Sequence, residues 1–130
     1  MSIPHSALLV DDEAHIRLFL KLILKELGVV DIREARNGKE ALESYRQQKA
    51  DLILMDVNMA GTDGLAALEQ FKKEFPESFI IMVTSTATRE IVEKCIQYGV
   101  KQYIRKDTPK QDILNILKNT FERMTFPPAA

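Results

Sequence analysis

The chain has 130 residues, with 18 basic against 19 acidic side chains and a single cysteine. At this length about two-thirds of the unfolded chain's surface can be buried, so one domain needs neither disulfide nor structural metal to hold a core. The near balance of charge argues against a field that would draw the chain onto nucleic acid or an anionic membrane, and Cys95 alone excludes an internal disulfide or a cysteine-based metal site. The start, Met1-Ser2-Ile3-Pro4-His5, has no basic segment followed by a signal-length apolar stretch, and no later apolar run could span a bilayer. A cytoplasmic protein with no membrane insertion and no direct contact with nucleic acid is expected, Cys95 being a small core residue.

Ala7-Leu8-Leu9-Val10 is a short apolar run ending in Asp11-Asp12-Glu13, which predicts a strand and an acidic turn. Ile16, Phe19, Leu20, Ile23 and Leu27 then recur at helical spacing, with Gly28 as the stop. Val29 to Ala35 reads as a second strand, and Asn37 as a cap for a helix carrying Ala41, Leu42 and Tyr45. The third strand is Leu52-Ile53-Leu54-Met55, which runs straight into Asp56 and a turn containing Asn58, Gly61, Asp63 and Gly64. An unbroken apolar run marks a strand covered on both faces, as in a parallel sheet sandwiched by helices.

After Gly64 the pattern predicts a helix to about Phe75, with Leu65, Leu68 and Phe71 on one face and Pro76 enforcing the end. Phe79 to Val83 is a second doubly buried strand, closed by Thr84-Ser85-Thr86. A helix around Ile91, Val92, Cys95 and Ile96 ends near Gly99, and Lys101 to Arg105 is a less apolar strand suited to a sheet edge, ending in Lys106. Thr108-Pro109-Lys110-Gln111 has the form of a capping box with proline at the first helical position. The last helix turns Ile113, Ile116, Leu117, Thr120 and Phe121 inward. Residues 1–125 are expected to form the domain and 126–130 a short tail, with no output domain.

Five strands alternating with five helices through right-handed crossovers make a doubly wound α/β sheet, most simply in the flavodoxin-like order 2-1-3-4-5. Strands one and three then flank the point where strand order reverses, the usual ligand crevice of such sheets. Asp11 and Asp12 fall beside Asp56 there, and Thr84 and Lys106 arrive from strands four and five. Carboxylates this close repel by about 4 kcal/mol per pair at an effective dielectric near 20, so a cation belongs among them. Oxygen ligands select a hard ion, and Mg2+ suits a few carboxylates with open positions for a phosphoryl oxygen. Lys106 and the Thr84 hydroxyl could neutralise phosphoryl oxygens, leaving a carboxylate, centrally Asp56, as the nucleophile.

The pair Asp11-Asp12, the run Asp56-x-x-Met59 followed by Asp63-Gly64, then Thr84 and Lys106 with Tyr103 three positions earlier, resemble the receiver domain of two-component response regulators from Ala7 to about Arg123. The resemblance implies that Asp56 takes a phosphoryl group from a phosphohistidine on a sensor histidine kinase or phosphotransfer protein. It also implies that Asp12, Asp56 and the Asn58 backbone carbonyl hold Mg2+, that Asp11 acts through a bound water, and that Thr84 and Lys106 bind phosphoryl oxygens. Tyr103 would turn inward with Thr84 and change a face formed by helix four, strand five and helix five, with Lys94, Gln97, Lys101 and Gln102 among its exposed members. A downstream protein target and a phosphorylation-dependent dimer are compatible with that switch. Asn58 and Thr86, two positions after Asp56 and Thr84, are placed to affect hydrolytic water.

Taken singly, each residue has a plainer reading. An acidic pair before a helix can be an N-terminal cap, Thr84 a strand-end residue, Lys106 a solvated side chain and Tyr103 a packed edge aromatic. His5 and His15 read as surface residues. Two positions depart from the family pattern: Ala60 and Asp107 stand where receivers usually carry proline, and a trans Lys106–Asp107 peptide is expected because cis bonds before other residues cost several kcal/mol. Lys106-Asp107 with a proline shortly afterward is similar to receivers that normally precede a helix-turn-helix DNA-binding domain, whereas Asn58 is similar to the free-standing chemotaxis receiver. The alternatives are a receiver-like scaffold that works without phosphorylation, a Mg2+-dependent phosphohydrolase, whose usual Asp-x-Asp Asp11-Asp12-Glu13 does not match, and a flavin carrier, for which no glycine-rich phosphate loop follows the first strand.

Overall fold

The structure, a computed structural model, describes residues 3–57, 64–85 and 88–124. Strands β1 (Ser6–Val10), β2 (Asp31–Ala35), β3 (Leu52–Met55), β4 (Ile80–Thr84) and β5 (Gln102–Arg105) form one parallel sheet in the order 2-1-3-4-5. Helices α1 (Ala14–Glu26), α2 (Gly38–Gln47), α3 (Gly64–Glu74), α4 (Arg89–Gln97) and α5 (Lys110–Arg123) alternate with them, giving the expected doubly wound, flavodoxin-like fold.

The apolar runs behave as doubly buried strands should. Every residue of β1, β3 and β4 is buried, whereas the edge strands β2 and β5 are only partly covered. Successive side chains of a strand point to opposite faces, which divides the interior in two. Leu9, Leu54 and Val83 join α1 and α5 on one side through Ile23, Leu117 and Phe121. Leu8, Ile53 and Met82 join α2, α3 and α4 on the other through Leu42, Phe71 and Cys95. Tyr45 lies against Phe71 and Phe75, with ring centroids 5.0 and 4.6 Å apart, in the tilted geometry aromatic pairs prefer.

Helix ends follow the sequence in most places. Asn37 accepts the Glu40 N–H at 2.9 Å, the capping bond its residue type predicts. Gly28 closes α1 with φ of +98°, open to glycine and strained for other residues. Two readings change. Strand β2 starts at Asp31 because Val29 is taken up by the helix end, its N–H bonding the Leu24 carbonyl. The capping box does not form: Pro109 occupies the cap position, α5 begins at Lys110, and the Gln111 amide bonds Asn115 instead of reaching back. On α4, which spans the expected residues, Cys95 is buried, Ile91 packs partly against the core and Ile96 is 66% exposed.

Helices α2 and α3 approach closely where Gly38 meets Ala67: a Cβ on Gly38 would lie 2.5 Å from that of Ala67. Gly38→Ala is therefore expected to cost about 1–3 kcal/mol in urea unfolding, as overpacking usually does. Adding Ala67→Gly should restore part of the loss; a fully stable Gly38→Ala would show that the helices separate freely.

Candidate functional site

The register of the central strands assembles the site. Val10 pairs with Met55, so Asp11 and Asp56 leave the sheet side by side, and the Asp56 N–H bonds the Val10 carbonyl at 3.0 Å. On the far side Thr84 pairs with Arg105, and the Lys106 N–H bonds the Thr84 carbonyl at 2.9 Å. One edge of the sheet thus delivers acids from β1 and β3 and a cation from β5 to the switch point.

Lys106 Nζ lies 2.9 Å from Asp56 Oδ2, 2.8 Å from Asp11 Oδ2 and 3.5 Å from Glu13 Oε1. The Lys106 side chain is 10% exposed, those of Asp11 and Asp56 only 3% and 1%. The contact with Asp11 is ionic: that oxygen is buried and, among the described residues, no hydrogen-bond donor is aligned with it. Asp11 Oδ1 accepts the Glu13 N–H at 2.9 Å, and its N–H bonds the Ala35 carbonyl. Asp11 and Asp12 are therefore not the cap of α1; Glu13 holds that position, and no acidic side chain lies in the first turn.

Burial is the largest influence on Asp11 and pushes its carboxyl above the ordinary range, against the opposing pull of Lys106 and the Glu13 N–H. For Lys106 burial works against the charge, but the Asp11 and Asp56 carboxylates outweigh it and hold the ammonium above its usual value. Carboxylate oxygens of Asp11, Asp12 and Asp56 all come within 4.8 Å of one another, with Asp12 the most open of the three. Three hard oxygen donors, one of them buried without an aligned donor, fit a small divalent cation.

The remaining residues divide in two. Thr84 is fully buried at the end of β4. Tyr103 is half-buried on β5, its hydroxyl pushed up chiefly by burial, and with Val92, Cys95, Ile96 and Val100 it lines a groove of about 300 Å³. Lys94, Gln97 and Lys101 are exposed near it and Gln102 partly covered. Among the described residues all peptides are trans, Lys106–Asp107 included. Cys95 is buried, and His5 and His15 are exposed. Asn58, Met59, Ala60, Asp63 and Thr86 lie outside the described residues.

The sequence gives no local sign of Glu13 beside Lys106, nor of Arg17, whose Nη1 donates to the Asp11 carbonyl at 2.7 Å and Nε to Glu34 at 2.9 Å. One hint existed: an arginine set among Ile16, Phe19 and Leu20 on α1 has to find partners.

The sequence pattern of the response regulator receiver domain matches residues 7–118. The chain belongs to that family. It is 34% identical over 116 residues to the chemotaxis protein CheY of Bacillus subtilis, covering 89% of this chain and 97% of that one. It is 35% identical over 119 residues to the response regulator protein VraR of Staphylococcus saprophyticus, of which it spans 57%. Among solved structures, a CheY-like receiver domain protein from Methanospirillum hungatei superposes with a TM-score of 0.81 at 28% identity, covering 91% of this chain and 94% of that one. Receivers are signalling domains of two-component systems that bind Mg2+ in an acidic pocket, and no helix of the described residues is long and apolar enough to cross a membrane.

Replacing the ammonium in this cluster should be costly. Lys106→Met removes the ammonium that lies against buried Asp11 and Asp56, and a loss of about 3–5 kcal/mol is expected at neutral pH by urea denaturation. A carboxyl raised in the folded state binds more protons folded than unfolded, so the variant should regain stability as pH falls through the raised value toward the ordinary one. Wild-type stability in Lys106→Met at pH 7 would show that the ammonium does not balance the acids.

Proposed function

We propose that the chain is a phospho-switch in which Asp56 accepts a phosphoryl group from a phosphohistidine on a sensor histidine kinase or phosphotransfer protein. The observation that carries this reading is the buried Asp56 carboxylate, 2.9 Å from Lys106 Nζ within a cluster of three acids. An Asp56 oxygen forms the new O–P bond as the P–N bond of the donor breaks, and the electron pair of that bond returns to the imidazole nitrogen. Lys106 and the Thr84 hydroxyl hold phosphoryl oxygens, so charge developing in transfer meets groups already in place. Mg2+ held by Asp12, Asp56 and the Asn58 carbonyl, with Asp11 acting through water, would neutralise the phosphoryl oxygens.

The output is a change of binding face. The added charge draws Thr84 toward the phosphoryl group and lets Tyr103 turn in, remodelling the groove between α4 and β5 for a downstream protein or a second copy of the chain. The chain's own chemistry is confined to its phosphorylation and dephosphorylation, in the cytoplasm. Direct binding of nucleic acid has no support in a net charge of −1.

Intact-mass spectrometry after incubation with a small-molecule phosphodonor tests the reading. One phosphoryl adduct is expected, dependent on Mg2+ and abolished in Asp56→Asn. Mg2+ binding without an adduct, from small donors or phosphohistidine proteins alike, would favour a scaffold that works without phosphorylation.

A further inference from the structure

We infer that Arg17 is a positioning residue for the metal-binding turn: anchored on Glu34 of β2, it grips the Asp11 carbonyl and so fixes how the Asp11 and Asp12 carboxylates meet a divalent cation. The inference rests on the receiver reading of the site. Asp11 is tied at its N–H to Ala35, at Oδ1 to the Glu13 N–H and at Oδ2 to Lys106. Arg17 adds the remaining tether, Nη1 to the Asp11 carbonyl at 2.7 Å. That carbonyl lies in the peptide plane joining Asp11 to Asp12, so holding it sets the direction in which the more open Asp12 departs.

The grip is itself supported. Arg17 Nε bonds Glu34 Oε1 at 2.9 Å, Lys21 Nζ lies 3.8 Å from Glu34 Oε2, and the Arg17 side chain is only 13% exposed. Glu34 neighbours Ala35, whose carbonyl takes the Asp11 N–H, so β2 holds the turn at two points, once through its backbone and once through Arg17. A planar guanidinium presents its donors in a fixed fork, so one side chain holds the Glu34 carboxylate through Nε and the Asp11 carbonyl through Nη1 with little freedom left to either contact.

Removal of this strut has a sign that plain electrostatics does not share. Loss of a cation near three carboxylates should tighten Mg2+ binding, whereas loss of a positioning contact should weaken it, typically by tenfold or more for groups that orient metal ligands. Calorimetric titration with Mg2+ alone, without phosphodonor, is therefore expected to show about tenfold weaker binding in Arg17→Met. Glu34→Ala should weaken binding less, and the double variant no more than Arg17→Met. Arg46→Met, which breaks the comparable Arg46–Glu74 pair at 2.7 Å away from the site, should leave it unchanged. Unchanged or tighter binding in folded Arg17→Met, or additive losses in the double variant, would overturn the strut while the receiver reading stands. If Arg17→Met does not fold, wild-type affinity in Glu34→Ala would overturn it equally. A wild type that binds no Mg2+ would overturn both.

Discussion

The site depends on one ammonium group held between two buried carboxylates. Lys106 Nζ reaches Asp11 and Asp56 at 2.8 and 2.9 Å, while Asp12 and Glu13 add further negative charge nearby. Desolvating two acids is tolerable only with a partner whose geometry recovers the loss, and among the described residues the Lys106 ammonium faces Asp11, Asp12, Glu13 and Asp56, which leaves a negative remainder. That remainder suits the cluster to a second, divalent cation. Stability and the proposed chemistry therefore compete for the same charges: the arrangement that costs folding energy is the one on which a metal and a phosphoryl group would have to be received.

The sheet is what allows such a cluster to exist. Acids from β1 and β3 become neighbours only because strand order reverses between them, and Lys106 reaches them because β5 ends at the same edge as β4. Full burial of β1, β3 and β4 prevents those strand ends from fraying, with each deeply buried apolar side chain contributing about 1.5–3 kcal/mol. Helix α3 adds a constraint from outside. A Cβ on Gly64 would collide with the Val57 backbone, so the helix begins hard against the residue that follows Asp56. A bulkier residue would have to displace the chain beside the acid.

The fold and most of the site were legible because their signals are local or periodic. Leu52 to Met55 shows a doubly covered strand by having no polar break, and Asn37 shows a cap by its own chemistry. Asp11, Asp56 and Lys106 could be brought together once strand order was inferred, since each stands at a strand's carboxyl end. Less visible were features decided by competition between neighbours. Val29 could extend β2 or close α1, and its N–H found the Leu24 carbonyl. Thr108 to Gln111 match a capping box in type and spacing, but Pro109 sets the cap and Gln111 has Asn115 within reach. Arg17 and Glu34 stand 17 residues apart on different elements; their meeting follows from how α1 lies over β1 and β2, which no local pattern encodes.

How an event at Asp56 would reach a partner is constrained by the same geometry. A switch needs an element with two arrangements whose balance the new charge alters. The core offers little such freedom, because close-packed interiors resist continuous deformation. The edge beyond Thr84 is different. The Lys106 N–H bonds the Thr84 carbonyl, β5 has a partner strand on one side only, and Tyr103 sits half-covered over a groove of about 300 Å³. A half-buried aromatic beside open space can change rotamer without first creating a cavity, and Ile96 on the rim already exposes apolar surface to whatever binds. Movement is therefore cheapest where the sheet ends, so the proposed responsive face falls on the side of Lys106 and opposite β2, the strand to which Ala35 and, through Glu34, Arg17 tie the acidic turn.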